Sequence, residues 1–133
     1  MIDKVCVFVE RDEINSRSVL AFEHPEAGRQ FVKGTIEPGE PIERAAAREL
    51  LEESGVVAKE AFRQLGATTS IMEGEVWHFV STVGQGLPDS WEFQTQDDHG
   101  HVFKFFWHEL DHELSQEWDH RYHRALAYFL CNN

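Results

Sequence analysis

Apolar and polar positions predict several short strands in the first third of the chain. Val5 to Val9 is a continuous apolar run, typical of a strand buried on both faces, and Ser18 to Phe22 predicts a second strand. The polar segment from Glu10 to Arg17 predicts the turn between them. A further turn, His24-Pro25-Glu26-Ala27-Gly28, leads to a short predicted strand from Gln30 to Lys33.

A helix is predicted from Pro41 to Ser54. Proline suits the first helical turn, Ala45 to Ala47 are strong helix formers, and Gly55 can take the left-handed conformation that ends a helix. This segment therefore carries both a start signal and a stop signal.

The remaining sequence predicts more strands and a second helix. Phe62 to Met72 and Glu75 to Val83 favour extended structure, Gly84 to Pro88 favours a turn, and His101 to Trp107 is an aromatic strand. Apolar residues then recur at helical spacing, at Trp118, Tyr122, Ala125, Leu126 and Phe129. Strands interleaved with two helices predict an α/β fold, an α/β/α sandwich around a mixed sheet.

Composition indicates one globular domain over residues 1–133. The chain is 41% hydrophobic, with ten Phe and four Trp, which argues against disorder. Cys6 and Cys131 form no CxxC pair and are expected to be reduced. The N-terminus has a short apolar run followed by charges, so we expect neither a signal peptide nor a membrane span, and a cytoplasmic protein.

The formal net charge of −12 restricts the possible partners. Nonspecific attraction to nucleic acid or to an anionic membrane comes mainly from Lys and Arg, so neither partner is expected. A small anionic substrate would also be repelled unless a bound metal supplied positive charge locally.

Three glutamates share one face at the C-terminal end of the predicted helix. At about 100° per residue, Glu49, Glu52 and Glu53 fall within roughly a 100° arc that contains no Lys or Arg. They also lie at the negative end of the helix dipole, where cations are preferred. A solvated acidic face is the ordinary explanation, but the lack of local compensation favours a functional site. Three hard carboxylates suit Mg²⁺ or Mn²⁺.

The surrounding residues resemble the Nudix box, G-x5-E-x7-R-E-U-x-E-E-x-G-U, where U is aliphatic. Every specified position is filled, by Gly34, Glu40, Arg48, Glu49, Leu50, Glu52, Glu53, Gly55 and Val56. The resemblance implies the Nudix fold and a metal-dependent pyrophosphohydrolase. Its substrate would be a nucleoside diphosphate linked to another moiety, in the nucleoside triphosphate, dinucleoside polyphosphate or nucleotide sugar class.

The resemblance also implies residue roles. Glu52 and Glu53 would be the main metal ligands, joined by Glu49, which could instead be the base that deprotonates water. The carbonyl of Lys33 would be a further metal ligand, and Arg48 would orient Glu49. Outside this group, Gly34 and Gly55 would serve loop geometry and the helix stop, and Glu40 would pair with Arg48.

Candidates for substrate contact lie mainly outside the box. Arg29 and Lys33 could contact phosphate, and Asp97 or Asp98 could complete the site or simply form a solvated turn. Four aromatic residues could stack on a base or belong to the core: Trp77, Phe79, Trp91 and Phe93.

A second motif suggests a different chemistry. His108, Glu109 and His112 match H-E-x-x-H, in which two His one helical turn apart bind zinc. The preceding residues favour a strand rather than a helix, so these residues are expected in the loop that leads to the last helix, with His120 and His123 facing solvent.

Three functions are thus open: a Nudix hydrolase, a Nudix-fold nucleotide-binding or sensor module without turnover, and a zinc peptidase. The intact Glu49, Glu52 and Glu53 favour the first. Sequence leaves monomer and homodimer equally open.

Overall fold

The strand β1 (Ile2–Glu13) organises the sheet in a computed structural model that describes residues 1–96 and 100–133. Along one edge it runs parallel to β6 (Glu75–Val83). Along the other edge its first half pairs antiparallel with β4 (Val32–Thr35), and its last residues pair antiparallel with β2 (Ser16–His24). Parallel and antiparallel pairing meet in this one strand, so the sheet is mixed.

The other strands extend the sheet on both sides. β5 (Arg63–Thr68) pairs with β6, whereas β8 (Val102–Glu109) pairs with β2 and carries β7 (Trp91–Gln94) on its far edge. The short β3 (Gly28–Gln30) also pairs with β2. Within the described residues these strands form one eight-stranded sheet whose main order is β5-β6-β1-β2-β8-β7.

Two helices cover opposite faces of this sheet. One core, against α1 (Ile42–Ser54), includes Val5, Val7, Val9, Ala45, Ala46 and Leu50. The other core, against α2 (His120–Asn132), includes Cys6, Phe8, Tyr122, Ala125, Leu126 and Phe129. Alternate residues of β1 therefore face different cores, which explains its continuous apolar run. The predicted α/β/α sandwich with a mixed sheet is confirmed.

Among the described residues, no helix has both the length and the apolar character needed to cross a membrane.

The polar segment from Glu10 to Arg17 is mostly strand rather than turn. β1 continues to Glu13 and β2 begins at Ser16, with only Asn15 in the left-handed region at φ 69°. The two strands pair through their backbone groups, so this end of the hairpin needs no apolar side chains.

The strand expected from Gln30 to Lys33 is interrupted at Phe31. This side chain is fully buried, and the chain changes partner there, from β2 on one side to β1 on the other. The change directs Lys33 and Gly34 of β4 along β1, in contact with α1.

Candidate active site

The C-terminal end of α1 is fixed by contacts from another part of the chain. Gly55 takes the left-handed conformation, φ 77°, and its N–H donates to Leu51 O. The indole Nε1–H of Trp91 donates to Ser54 O at 3.1 Å, and Phe93 packs so closely on Gly55 that a side chain there would overlap its ring. These contacts set the position of the helix turn that carries the last two glutamates of the box.

Glu53 is half-buried and contacts the backbone of β4. Its Oε1 accepts a hydrogen bond from Lys33 N–H at 3.1 Å. Burial raises the pKa of Glu53 to about 8, and the nearby Glu49 carboxylate adds to the rise, while the Lys33 ammonium and N–H oppose it. Burial also lowers the pKa of Lys33. Desolvation therefore makes the charged form of each group, Glu53 and Lys33, less favourable.

Glu49 lies directly against Gly34. A Cβ atom at position 34 would overlap the Glu49 carboxyl group, so the strand approaches the helix more closely than any other residue type permits. Burial raises the pKa of Glu49, and the neighbouring Arg48 guanidinium opposes that rise.

Arg48 joins most of the acidic residues of the box. Its Nε and Nη2 donate to the two carboxylate oxygens of Glu40, each at 2.8 Å, and Nη2 also donates to Thr35 O at 3.0 Å. Its Nη1 donates to Glu49 Oε1 at 2.9 Å and to Glu52 Oε2 at 3.3 Å. The helical projection places Arg48 outside the arc of Glu49, Glu52 and Glu53. Its long side chain nevertheless reaches the carboxylates of Glu49 and Glu52 and compensates their negative charges.

Three of the four box glutamates, Glu49, Glu52 and Glu53, line one cavity of about 350 Å³ together with Lys33. The glutamates come from one face of α1, and Lys33 comes from β4. The rest of the described lining consists of His24, Ala27, Gln30, Thr95 and Phe103. The sequence prediction thus identified the acidic wall of this cavity and missed the opposite wall.

Arg29 does not line this cavity. It is exposed on β3, its Nη1 lies 3.8 Å from Glu117 Oε2, and its guanidinium lies over the Phe106 ring. Its neighbour Gln30 lines the cavity instead, because adjacent residues of a strand point to opposite sides.

The aromatic candidates for base stacking lie elsewhere. Trp77 and Phe79 are buried in the core on the α2 side, and Trp91 and Phe93 pack against the end of α1. Among residues 1–96 and 100–133, the rings that line the cavity are those of His24 and Phe103. A signal for His24 was present in the sequence, since it is the first residue of the turn predicted after the second strand.

Asp97 and Asp98, the sequence candidates for an acidic group outside the box, lie outside the described residues.

The zinc peptidase interpretation lacks the helix on which it depends. His108 and Glu109 end the strand β8, and the chain turns at once, so that His108 Nε2–H donates to His112 O at 2.8 Å. The two His residues therefore do not share a helical face. His120 is exposed as expected, but His123 is half-buried and bonds to Ser115 O at 3.1 Å.

The same turn brings Glu109, Asp111 and His112 together. Among the described residues, their ligand atoms form the one group of three His, Cys, Asp or Glu that lies within 4.8 Å. All three are exposed, and His112 Nε2 lies 3.4 Å from Glu109 Oε2 and 3.8 Å from Asp111 Oδ1. Exposed groups that pair with one another in this way explain the cluster without a metal.

The donor set of the cavity fits a hard divalent cation. Burial raises the pKa of both Glu49 and Glu53, and the Glu49 carboxylate raises the pKa of Glu53 further. Glu52 is more exposed, with 43% of its side chain accessible. Oxygen donors of this kind suit Mg²⁺ or Mn²⁺, and a divalent charge would offset the desolvation that the two buried carboxylates bear.

The fold is a mixed sheet between two helices. The candidate site is a carboxylate-lined cavity at the end of one of these helices. The model of the NUDIX domain matches residues 2–129. The chain belongs to the NUDIX family and is a Nudix hydrolase.

Solved structures share the fold at low sequence identity. MutT from Methanosarcina mazei Go1 superposes with a TM-score of 0.69 at 17% identity, covering 98% of this chain and 93% of that one. The NUDIX domain of Shewanella oneidensis NrtR, complexed with ADP ribose, gives 0.65 at 18% identity, covering 98% and 88%. The Ap4A hydrolase of C. elegans gives 0.59 at 16% identity, covering 98% and 97%. No curated protein sequence matches the chain.

Proposed function

We propose that the protein is a metal-dependent pyrophosphohydrolase that cleaves the phosphoanhydride bond of a nucleoside diphosphate linked to another moiety. The observation that carries this proposal is the common cavity of Glu49, Glu52, Glu53 and Lys33. Mg²⁺ is the proposed metal, with Mn²⁺ able to replace it. The solved structures with ADP ribose and of Ap4A hydrolase support a nucleotide substrate. The two cores on one sheet support a single domain over residues 1–133.

The proposed metal ligands are the carboxylates of Glu49, Glu52 and Glu53 and the carbonyl of Lys33. The N–H of Lys33 points to Glu53 rather than to β1. In an extended strand the N–H and C=O of one residue lie on the same side, so the carbonyl also points away from β1. This orientation supports its assignment as a ligand. When bound, the cation supplies positive charge at the phosphate oxygens and acidifies the attacking water.

Glu49 is the proposed general base. Arg48 donates to its Oε1, while among the hydrogen bonds of the described residues none ends on Oε2. Burial raises the pKa of Glu49, which makes its carboxylate a better acceptor for a proton from water. The deprotonated water attacks one phosphorus, the bridging P–O bond breaks, and two phosphate-bearing products leave. Arg48 keeps Glu49 in place through this step.

The test is hydrolysis of a nucleotide panel with Mg²⁺ or Mn²⁺, followed as product release. We expect turnover of at least one nucleotide, and a loss of about a hundredfold or more in Glu53→Gln. Glu109→Gln is the matched control, because Glu109 is an exposed glutamate at the end of β8. It should leave activity unchanged.

The binding-module alternative makes the opposite prediction. If no nucleotide is hydrolysed with either metal, and Glu53→Gln binds nucleotide as tightly as the wild type, the hydrolase proposal is wrong. Tight binding without turnover would then identify a nucleotide-binding or sensor module.

A further inference from the structure

A second cavity, of about 180 Å³, lies next to the end of α1. It is formed by Leu50, by the segment 56–60 that follows the helix, by Val9 of β1, and by residues 82–87 at the end of β6 and in the loop after it. Among the described residues, it shares no lining residue with the cavity that the box glutamates line. The second cavity is therefore a separate feature of the fold.

The floor of the second cavity is apolar. Val9 and Leu50 are buried there, and Leu87 is half-buried beside them. The buried Thr82 also lines it, but its hydroxyl donates to Glu60 O at 3.3 Å. An ordered buried water makes about three hydrogen bonds to polar groups, which apolar side chains do not supply. This floor therefore suits an apolar group better than water.

The mouth of the second cavity is exposed and extends the apolar surface outwards. Val57 and Val83 flank it, with 68% and 45% of their surfaces accessible. The charged residues of its described lining are Lys59 and Glu60, both exposed, and their charges cancel. A mouth without net charge above an apolar floor favours neither an anion nor a cation. It suits an uncharged molecule.

The volume of the second cavity matches a single ring. In another protein, an engineered apolar cavity of about 150 Å³ binds benzene. A cavity of about 180 Å³ therefore has room for one benzene-sized ring with a small substituent. A hydroxyl on that substituent would face the mouth, where the Gln85 side chain has an amide with both donor and acceptor groups.

Hydrogen bonds join the second cavity to the helix turn that carries Glu53. The Ser54 hydroxyl donates to Leu50 O at 2.5 Å and accepts from Val56 N–H at 3.1 Å. Both Leu50 and Val56 line the second cavity, whereas the neighbouring Glu53 lines the glutamate cavity. A molecule packed against Leu50 and Val56 would therefore constrain the same helix end that positions Glu53.

We propose that the second cavity is a regulatory binding site for an uncharged, ring-sized apolar molecule. The ring occupies the floor formed by Val9, Leu50 and Leu87, and its polar substituent faces the mouth. The bound molecule stabilises the last turn of α1 and thereby raises the affinity of the glutamates for Mg²⁺. This effect on Mg²⁺ rests on the proposed function, whereas binding to the cavity does not.

Benzyl alcohol is the probe, and benzoate and benzylamine are its charged analogues of similar size. Titration of the wild-type protein, followed by NMR, should show saturable binding of benzyl alcohol with a Kd of about 1 mM or lower. Both analogues should bind about fivefold or more weakly, because desolvation of a charge opposes burial. Equal binding of either analogue would show that the ligand class is wrong. A lack of saturable binding of benzyl alcohol would overturn the proposal.

Ala58→Phe tests the location of the site. Ala58 lines the second cavity and packs against the core beside α1, so a phenyl group at this position would fill the space that the ligand needs. We expect the Kd for benzyl alcohol to rise about tenfold or more. Ala61→Phe is the matched control, because Ala61 is exposed and is not among the lining residues. Unchanged binding by folded Ala58→Phe would contradict the location.

Val57→Asp tests the same location without filling the cavity. Val57 is exposed, so the variant should fold, and thermal unfolding of all three variants checks this. Loss of apolar surface at the mouth should weaken benzyl alcohol binding about threefold or more. Unchanged binding would count against the site. Sedimentation velocity examines a different occupant: a wild-type dimer that Val57→Asp dissociates would make the mouth an interface between two copies and would overturn the small-molecule proposal.

The regulatory effect is measured as Mg²⁺ affinity, by calorimetry with and without benzyl alcohol. We expect Mg²⁺ to bind about fivefold more tightly with the probe present, and the probe to bind more tightly with Mg²⁺ by the same factor. Unchanged Mg²⁺ affinity would overturn the regulatory effect. Saturable binding of benzyl alcohol to a protein that hydrolyses no nucleotide would contradict the proposed function and support the binding site, so the two proposals fail separately.

Discussion

Gly34 lies against Glu49 so closely that any side chain at position 34 would overlap the glutamate carboxyl group. The two residues come from β4 and α1, and the glycine has no left-handed backbone conformation to explain its presence. Close approach, rather than loop geometry, therefore accounts for the first residue of the box. The contact fixes one side of the carboxylate while Arg48 holds Oε1 on the other.

Gly34→Ala should displace the Glu49 carboxylate. We expect a loss of about a hundredfold in kcat, since a shift of about 1 Å in a catalytic group has that order of effect. Steady-state hydrolysis checks this. Gly74→Ala is the control: Gly74 has φ 81° with open space around it, so its replacement should cost about 1 kcal/mol of stability and leave kcat unchanged. Equal kcat values in the two variants would contradict the proposed role of the contact.

Glu40 should contribute to stability in a pH-dependent manner. Hydrogen bonds from Arg48 and from the Glu37 backbone lower the pKa of Glu40 to about 2. A carboxyl group with a lowered pKa stabilises the fold above its unfolded pKa of about 4.3, and this contribution is lost as pH falls towards 2.

Glu40→Gln should therefore be less stable than the wild type at pH 7, with a difference that shrinks below about pH 4. Urea unfolding at several pH values measures this difference in the free energy of unfolding. Glu37→Gln is the control, because Glu37 contacts Glu40 through its backbone: its N–H donates to Glu40 Oε1, and its carbonyl accepts from Glu40 N–H. A difference that stays constant down to pH 2 would show that Glu40 is not the titrating group.

Glu53 should make the protein less stable as pH rises, the opposite of the effect of Glu40, when a chelator keeps the protein free of metal. Its folded pKa of about 8 lies above its unfolded value, so the folded state binds the proton more tightly. The free energy of unfolding should fall as pH rises from about 4.3 to about 8, and Glu53→Gln should remove that decline. Gln retains an oxygen that can accept from Lys33 N–H.

Mg²⁺ should reverse this trend in the wild type, because cation binding requires the ionised carboxylate. Thermal unfolding with and without Mg²⁺ should show greater stabilisation at pH 8 than at pH 5. Equal stabilisation at both pH values, or an unchanged pH dependence in Glu53→Gln, would contradict the assignment.

Trp91 should support the metal site from outside the box. Trp91→Phe removes the hydrogen bond to Ser54 O but keeps a ring to stack on Phe105, which lies 5.0 Å away. We expect a loss of about 1 kcal/mol of stability. The Mg²⁺ concentration for half-maximal activity should rise, because the end of α1 that carries Glu53 is less constrained.

Trp107→Phe is the matched control for that prediction. It removes a comparable hydrogen bond, from Nε1 to Pro88 O at 2.9 Å, away from the helix end. Similar losses of stability with a changed Mg²⁺ requirement only in Trp91→Phe would support the positioning role. A shift of the requirement in both variants would indicate a general effect of destabilisation.

Local sequence determined the helix, its stop and the acidic face. Pro41 precedes the first helical residue, Gly55 ends the helix in the left-handed conformation, and Glu49, Glu52 and Glu53 reach the same cavity. These features follow from backbone preferences and from the periodicity of a single helix, so no tertiary information is needed to predict them. The continuous apolar run in β1 likewise indicated burial on both faces.

Tertiary structure decided which residues complete the cavity and how its charges are balanced. Phe31 interrupts a strand because the chain changes partner there, and strand alternation then turns Gln30 rather than Arg29 into the cavity. The reach of Arg48 to Glu52 depends on a side-chain conformation that a helical projection does not contain. His24 enters the site only because β2 and β4 are brought together by the sheet. Contacts between segments distant in sequence set these positions, and no local pattern encodes them.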